Sequence, residues 1–238
     1  MKLLLYAVLR NSEKKIHSVN SVSTEVFFIS NNNLTAIISA CENSATPSIE
    51  QLLSFEKVVA DFHREHTVIP MRYGCLFDNE AQLMNFLTKH QAQYETLLDE
   101  LEDCVEMGLR FLISVPQAIG NIVVSEPEPV SSGRAYLAAR RRHYEDPSTE
   151  FQAMMTEVCA PLDGLFKRQK TEVKRFEDGW LCSQYFLLRR TEIEAWNDKL
   201  RHLIVPQSVK LSASGPWPPY NFVMTENLPA AMLLPKLK

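Results

Sequence analysis

Val68-Ile-Pro-Met-Arg-Tyr-Gly-Cys-Leu-Phe77 stands between the two longest amphipathic patterns of the N-terminal half. Apolar residues occupy both alternating faces, the pattern of a strand buried on both sides. Pro70 has no N–H to give to a ladder, which puts that end of the strand at a sheet edge or a bulge. Gly74 is expected where another backbone or a helix comes close. Arg72 shares a face with Pro70, Gly74 and Leu76, away from Met71, Tyr73 and Cys75. An unpaired buried charge costs several kcal/mol, so an arginine in this setting is expected to be tied to a carboxylate, a ligand-binding arginine being the other reading.

Upstream, Leu3–Leu9 reads as a first strand. Val26–Ile29 and Leu34–Cys41 read as a hairpin across Asn31-Asn32-Asn33, since asparagine tolerates the left-handed backbone of a tight turn. A helix follows, opened by Thr46-Pro47 or by Ser48, with Gln51 completing a capping box. Its stripe is Leu52, Phe55, Val59 and Phe62, with His66 in phase. Downstream, Asn79 with Gln82 caps a second helix, whose stripe is Leu83, Leu87, His90, Tyr94, Leu97 and Leu101.

After Asp103 the pattern restarts. Val105–Val115 is a strand with Glu106 near its start. Pro116 to Ser132 reads as a long Pro-rich loop, and Ser132–Tyr144 as a helix. Ser148 opens a further helix with Phe151, Met155, Val158 and Leu162 in phase, kinked at Pro161. Glu172–Phe176 and Trp180–Leu188 form a hairpin across Asp178-Gly179. Thr191 with Glu194 is a capping box for a helix with stripe Ile193, Trp196, Leu200 and Leu203. Val209–Ala213 is a last strand, leading into Gly215-Pro-Trp-Pro-Pro-Tyr-Asn-Phe222.

From Val105 onward the order is that of the split βαβ, or ferredoxin-like, unit. The expected fold class is therefore α+β in two domains. Residues 1–103 form a mixed α+β domain. Residues 104–238 form a modified ferredoxin-like (βαββαβ) domain with an extra helix, the Pro-rich loop 116–132 and a C-terminal tail.

At 238 residues the chain buries about 70% of its unfolded surface, roughly 11,000 Å² against about 39,000 Å², so a core needs no disulfide or metal. A net charge of −4 gives the molecule as a whole no footprint for a phosphate backbone. The five cysteines, Cys41, Cys75, Cys104, Cys159 and Cys182, are scattered without a Cys-x-x-Cys, the usage of buried reduced thiols. Leu3–Leu9 lacks a cleavage site and leads into charged residues, so it reads as a strand rather than a signal peptide. No stretch approaches the ~20 apolar residues of a membrane span. A soluble cytoplasmic chain is expected, with neither membrane nor nucleic acid as partner.

His63-Arg-Glu-His66 places two imidazoles on one helix face, but no third ligand accompanies them. His90 sits at a core position of the second helix. Arg140-Arg141-Arg142-His143, with Arg134, Lys167, Arg168, Lys170, Lys174 and Arg175, reads as a solvated helix face or as a positive face of the second domain. The aromatic signature of RNA-binding strands is missing. With no phosphate-binding glycine loop and no nucleophile elbow, no catalytic, cofactor-binding or metal site is expected. Trp217-Pro218-Pro219-Tyr220 reads as a rigid strand exit packed on the core, a proline-rich ligand for an aromatic groove being the alternative. These four are the candidate partner-binding residues. Arg72 and Glu106, the charges of two apolar strands in the two halves, are expected to pair and tie the domains together.

Four stretches in order carry a resemblance. His66-Thr-Val-Ile-Pro-Met-Arg-Tyr-Gly-Cys-Leu-Phe77, Val105-Glu106-Met107, Ser132-Gly-Arg-Ala-Tyr-Leu137 and Gly215-Pro-Trp-Pro-Pro-Tyr-Asn-Phe222 resemble segments of the gas vesicle protein GvpF/GvpL family. The match runs from the first strand to residue 222. Asp103-Cys104, where the family carries a glycine region, and Tyr73, where phenylalanine is commoner, depart from it. The resemblance implies an accessory or minor structural protein of gas vesicle assembly, located in that proteinaceous organelle. It further implies a partner in the hydrophobic major shell protein GvpA, whose aggregation it would limit. A small-ligand-binding or enzymatic ferredoxin-like protein is the alternative, and it would need a pocket of converging polar groups.

Overall fold

The computed structural model describes residues 2–11, 25–41, 47–114, 149–176 and 179–223. The expected loop 116–132, the helix 132–144, the openers Thr46 and Ser148, Asp178 of the hairpin turn and the tail beyond Val223 lie outside the described residues.

Two antiparallel sheets are present. The first has strand order β2-β3-β1-β4, built from β1 (Lys2–Arg10), β2 (Phe27–Asn31), β3 (Leu34–Cys41) and β4 (Val68–Pro70), with β5 (Leu76–Phe77) also on β1. Helix α1 (Ile49–Glu65) covers one face through Phe55, Val58, Val59 and Phe62 against Leu4, Tyr6, Leu9 and Ile37. Helix α2 (Glu80–Glu100) covers the other through Leu83, Leu87, Tyr94 and Leu97 near Leu5, Val8, Ala36 and Ile38. Burial on both faces is why β1 reads as an unbroken apolar run. A register shift between Leu5 and Ala7 turns Tyr6 and Ala7 to the same side, and the apolar sequence tolerates it because neither face is wet.

Both helix starts follow their sequence signals. Ser48 accepts from the Gln51 N–H while the Gln51 side chain returns to Ser48 N–H, a complete capping box. Asn79 accepts from Gln82 N–H. The β2–β3 turn is made by Asn32 at φ 51°, with Asn31 opposite Leu34.

The stretch 68–77 differs from the expected single strand. It runs along β1 as two short strands, and the chain leaves the ladder between them. Met71 N–H donates to the Tyr6 carbonyl at 2.8 Å, and the Cys75 carbonyl accepts from Leu5 N–H at 2.9 Å. The excursion turns at Gly74, whose φ of +94° an L side chain rarely adopts. A Cβ on Gly74 would meet nothing within 4 Å, so the glycine is there for its backbone angle and not for the close approach expected. Arg72 rides on this excursion and is exposed.

The second sheet has order β7-β8-β6-β9, from β6 (Cys104–Ser114), β7 (Arg168–Phe176), β8 (Gly179–Arg189) and β9 (Val209–Trp217). With α3 (Thr149–Cys159) after β6 and α4 (Ile193–Arg201) after β8, this is the ferredoxin-like arrangement, and the α+β class stands. Val105, Met107, Leu109 and Phe111 of β6, with Phe186 and Leu188 of β8, face α3 and α4 around a fully buried Trp196.

Three local elements depart from their sequence signals. Pro161 does not kink α3. The helix ends at Cys159, and Pro161 sits in the first turn of a following 3-10 segment, where its missing N–H costs nothing. Thr191 makes no capping box, because a 3-10 turn over Arg190–Glu192 puts Glu192 at the cap position of α4 without a side-chain hydrogen bond. Gly179 belongs to β8, opposite Phe176.

Candidate functional site

Helices occupy one face of the second sheet, and the opposite face turns toward α1. Between them lies a cleft of about 460 Å³. Its α1 wall is Leu53, Glu56, Lys57 and Ala60, spaced so that all four lie on one side of the helix. Its floor is Glu106, Gly108 and Arg110 of β6 with Tyr185 of β8, and it is closed at one end by Trp217, Pro218, Tyr220 and Asn221.

The apolar groups here are unusually open. Leu53 is 60% exposed, Ile49 one turn earlier is 75% exposed, and Trp217 is 49% exposed. Two large apolar side chains left wet in one cleft, with a third exposed one turn along the same helix, are the arrangement of an interaction site rather than of core packing. Ile49, Leu53 and Ala60 stand out of phase with the stripe that α1 buries. That was the sequence signal for this wall, and the stripe reading passed over it.

The expected partner-binding residues divide. Trp217 is exposed at the rim, Pro218 and Pro219 are buried, and Tyr220 is half-buried against the core under α1. Burial pushes the Tyr220 phenol above its usual range, with Glu56 and Glu106 adding to the effect, and its hydroxyl has no hydrogen-bond partner. Phe222 and Val223 continue into the core of α2 beside Leu187. The closing segment thus leaves β9 and stitches the second sheet onto the first half.

That exit is shaped by Gly215 at φ +114°. A Cβ there would come within 2.8 Å of the Glu106 carbonyl oxygen and of Met107 Sδ. The crowding falls at the register shift between Glu106 and Gly108 opposite β9.

The expected Arg72–Glu106 pair is not formed. Arg72 is carried to solvent by its excursion, whereas Glu106 is 4% exposed. Both oxygens of Glu106 are taken by Asn221, whose backbone N–H donates to Oε2 at 2.8 Å and whose Nδ2 donates to Oε1 at 2.6 Å. Burial raises the Glu106 pKa, and the Asn221 hydrogen bonds and the Lys170 charge oppose that rise. Neutral donors satisfy this carboxylate in place of a cation.

A different arginine bridges the halves. Arg190, just after β8, donates to the His63 carbonyl of α1 and, at 3.2 Å, to His63 Nε2; its Nε lies 3.6 Å from Asp103 Oδ1. Lys167 donates to the Glu100 carbonyl, and Arg168 pairs with Glu100 at 3.1 Å. His63 is buried, and burial together with the Arg190 charge lowers its pKa to about 4. It is a neutral junction residue. His66 remains half-exposed, His90 hydrogen-bonds the Phe86 carbonyl, and no metal-holding cluster occurs among the described residues.

A second cavity of about 410 Å³ opens between α3 and the β7–β8 pair, with Cys159, Asp163, Gln169, Thr171, Cys182 and Gln184 among its lining. Burial pushes the Cys159 thiol up to about 12 and the Cys182 thiol up to about 11, and Cys159 donates to Gln184 Oε1 at 2.8 Å. Protonated, hydrogen-bonded thiols are poor nucleophiles.

Comparison with known proteins adds to this geometry. The family model described as gas vesicle synthesis protein GvpL/GvpF matches residues 2–224. Gas vesicle protein F of a Streptomyces species is 22% identical, covering 94% of this chain and 100% of that protein. Gas vesicle protein F2 of Halobacterium salinarum is 22% identical over 93% of this chain and 91% of its own length. The crystal structure of GvpF from Anabaena superposes with a TM-score of 0.68 at 16% identity, covering 94% of this chain and 98% of the other. That of GvpF from Microcystis aeruginosa gives 0.71 at 12% identity, covering 94% and 99%. At these identities the two structures speak for the fold.

Proposed function

The chain belongs to the gas vesicle synthesis protein GvpL/GvpF family, and we propose that within gas vesicle formation it holds the major shell protein GvpA by an apolar segment in the α1 cleft, limiting its aggregation. Membership places its work at the gas vesicle, among other gas vesicle components. It also points away from catalysis, toward a structural or assembly role.

One observation carries the finer reading: Leu53 and Trp217 stand wet on the wall and rim of a 460 Å³ cleft, with Ile49 exposed one helical turn before Leu53. A very hydrophobic shell subunit needs its apolar surface covered until it is incorporated. A groove walled by a helix and floored by a sheet suits an amphipathic helix laid along it, with Leu53 and Trp217 as anchors. Glu56 and Lys57 on the helix wall and Arg110 on the floor add charge to the groove, and a partly polar surface suits a contact made to be released.

Light scattering tests the reading. Shell subunit diluted from denaturant is expected to stay in solution when the pure protein is present in equimolar amount and to aggregate in its absence. Equal aggregation in both samples would sink the proposal.

A further inference from the structure

The face of the second sheet that floors the cleft continues beyond it, past Arg110. The register aligns Lys170, Tyr185, Gly108 and Ser214 in one row across the four strands. The next rows are Glu172, Ser183, Arg110 and Ser212, then Lys174, Leu181, Leu112 and Lys210. All project from the face opposite α3 and α4, because side chains alternate and the intervening residues fill the helix-covered core. In these three rows four cations from β6, β7 and β9 therefore share this face with a single carboxylate, Glu172.

The charges are not cancelled within the fold. Lys170 and Lys174 divide Glu172 between them, at 3.3 and 3.5 Å. Arg110, Lys174 and Lys210 are exposed, and Arg110 and Lys210 make no ion pair among the described residues. A chain of net charge −4 thus presents one concentrated positive surface. Lysines on the edge strand alone would be read as protection against edge pairing. Here Arg110 lies on central β6, and the positive charge spans the sheet.

The surface is also shaped. Arg110, Leu112, Leu181, Lys210, Leu211 and Ser212 line a shallow depression of about 290 Å³. Arg110 borders this depression and the α1 cleft alike. Apolar floor and cationic rim alternate along one path.

We propose that this face docks an acidic amphipathic helix of a protein partner, its carboxylates against Arg110, Lys174 and Lys210 and its apolar side chains over Leu112 and Leu181. A nucleic acid fits less well. In these three rows only Tyr185 offers a ring for stacking, and Glu172 would face phosphates. Arg110 is common to this face and the cleft, whereas Leu112, Lys174, Leu181 and Lys210 lie outside the cleft.

The test uses fluorescence anisotropy with the full chain and three labelled probes: an amphipathic Glu/Leu helical peptide, its Lys/Leu counterpart and a single-stranded oligonucleotide. The acidic peptide should bind, more weakly as salt rises, and the basic one should not. Arg110→Glu with Lys210→Glu should weaken binding at least about tenfold, while Arg110→Lys with Lys210→Arg retains it. Both positions are exposed, and circular dichroism checks that each variant is folded. Trp217→Ala should leave this binding unchanged, which separates the result from that of the shell-protein assay. No binding of the acidic peptide, binding indifferent to charge reversal, or tighter binding of the oligonucleotide would each overturn the proposal.

Discussion

Arg190 donates from its guanidinium to the main-chain carbonyl of His63, 127 positions away in sequence. It joins the end of the second sheet to the end of α1, and it also approaches Asp103, where α2 hands over to β6. Arg190→Ala leaves that carbonyl and the His63 ring without their donor. The expected loss is about 2 kcal/mol, read as a lowered urea midpoint. Arg190→Lys should recover only part of it, since an ammonium cannot reproduce the fork.

His63 makes this junction sensitive to acid. Its folded pKa, about 4, lies below the ordinary 6.5. Between those values the unfolded chain binds a proton that the folded protein refuses, so stability falls as pH drops from about 6.5 to about 4 and levels off below. A shift of that size corresponds to roughly 3 kcal/mol. His63→Asn should flatten this part of a stability profile measured by denaturant melts from pH 7 to pH 4. An unchanged slope would remove His63 as its source.

Asn221 and Glu106 respond in the opposite sense. The Glu106 pKa is raised, so its contribution is present at low pH and is lost as pH rises through the folded pKa. Asn221→Ala removes the Nδ2 donor, exposes the carboxylate to more of its desolvation penalty and raises its pKa further. The variant should be destabilised by about 2 kcal/mol at neutral pH and by less in acid. Melts of parent and variant at pH 4 and pH 8 check the difference.

Two glycines at positive φ should differ sharply. Gly74→Ala incurs backbone strain in open space and should cost about 1–2 kcal/mol. Gly215→Ala adds contacts at 2.8 Å with the Glu106 carbonyl oxygen and Met107 Sδ, and should cost about 3 kcal/mol or more. Thermal melts of the two variants rank them directly.

Much of the fold was legible because its signals are local. Ser48 with Gln51, Asn79 with Gln82 and the turn at Asn32 act within a few residues, and the strand–helix order after Asp103 carries the second sheet's topology. The excursion at 71–75 was hidden, since an apolar run on both faces looks the same whether or not it leaves the ladder. The Arg72–Glu106 pair failed for a related reason: burial was inferred from neighbours in sequence, while the chain lifts Arg72 out. Arg190, which ties the halves through His63, and Asn221, which satisfies Glu106, gave no periodic signal because those partners lie more than a hundred residues away. We take the boundary near residue 103 as a proposal. The contacts of Leu187, Phe222 and Val223 with the core of α2 imply that residues 1–103 alone would expose apolar surface.

The most direct measurement is co-purification of the protein with the major shell protein GvpA through a high-salt wash, comparing the parent chain with Leu53→Asp and Trp217→Ala. Leu53 is 60% exposed and Trp217 49%, so the variants should keep the parent's stability within about 1 kcal/mol. The account predicts that the parent retains the shell protein and that each variant loses it. Equal retention by all three, or none by the parent, would contradict the cleft as the place where the shell protein is held.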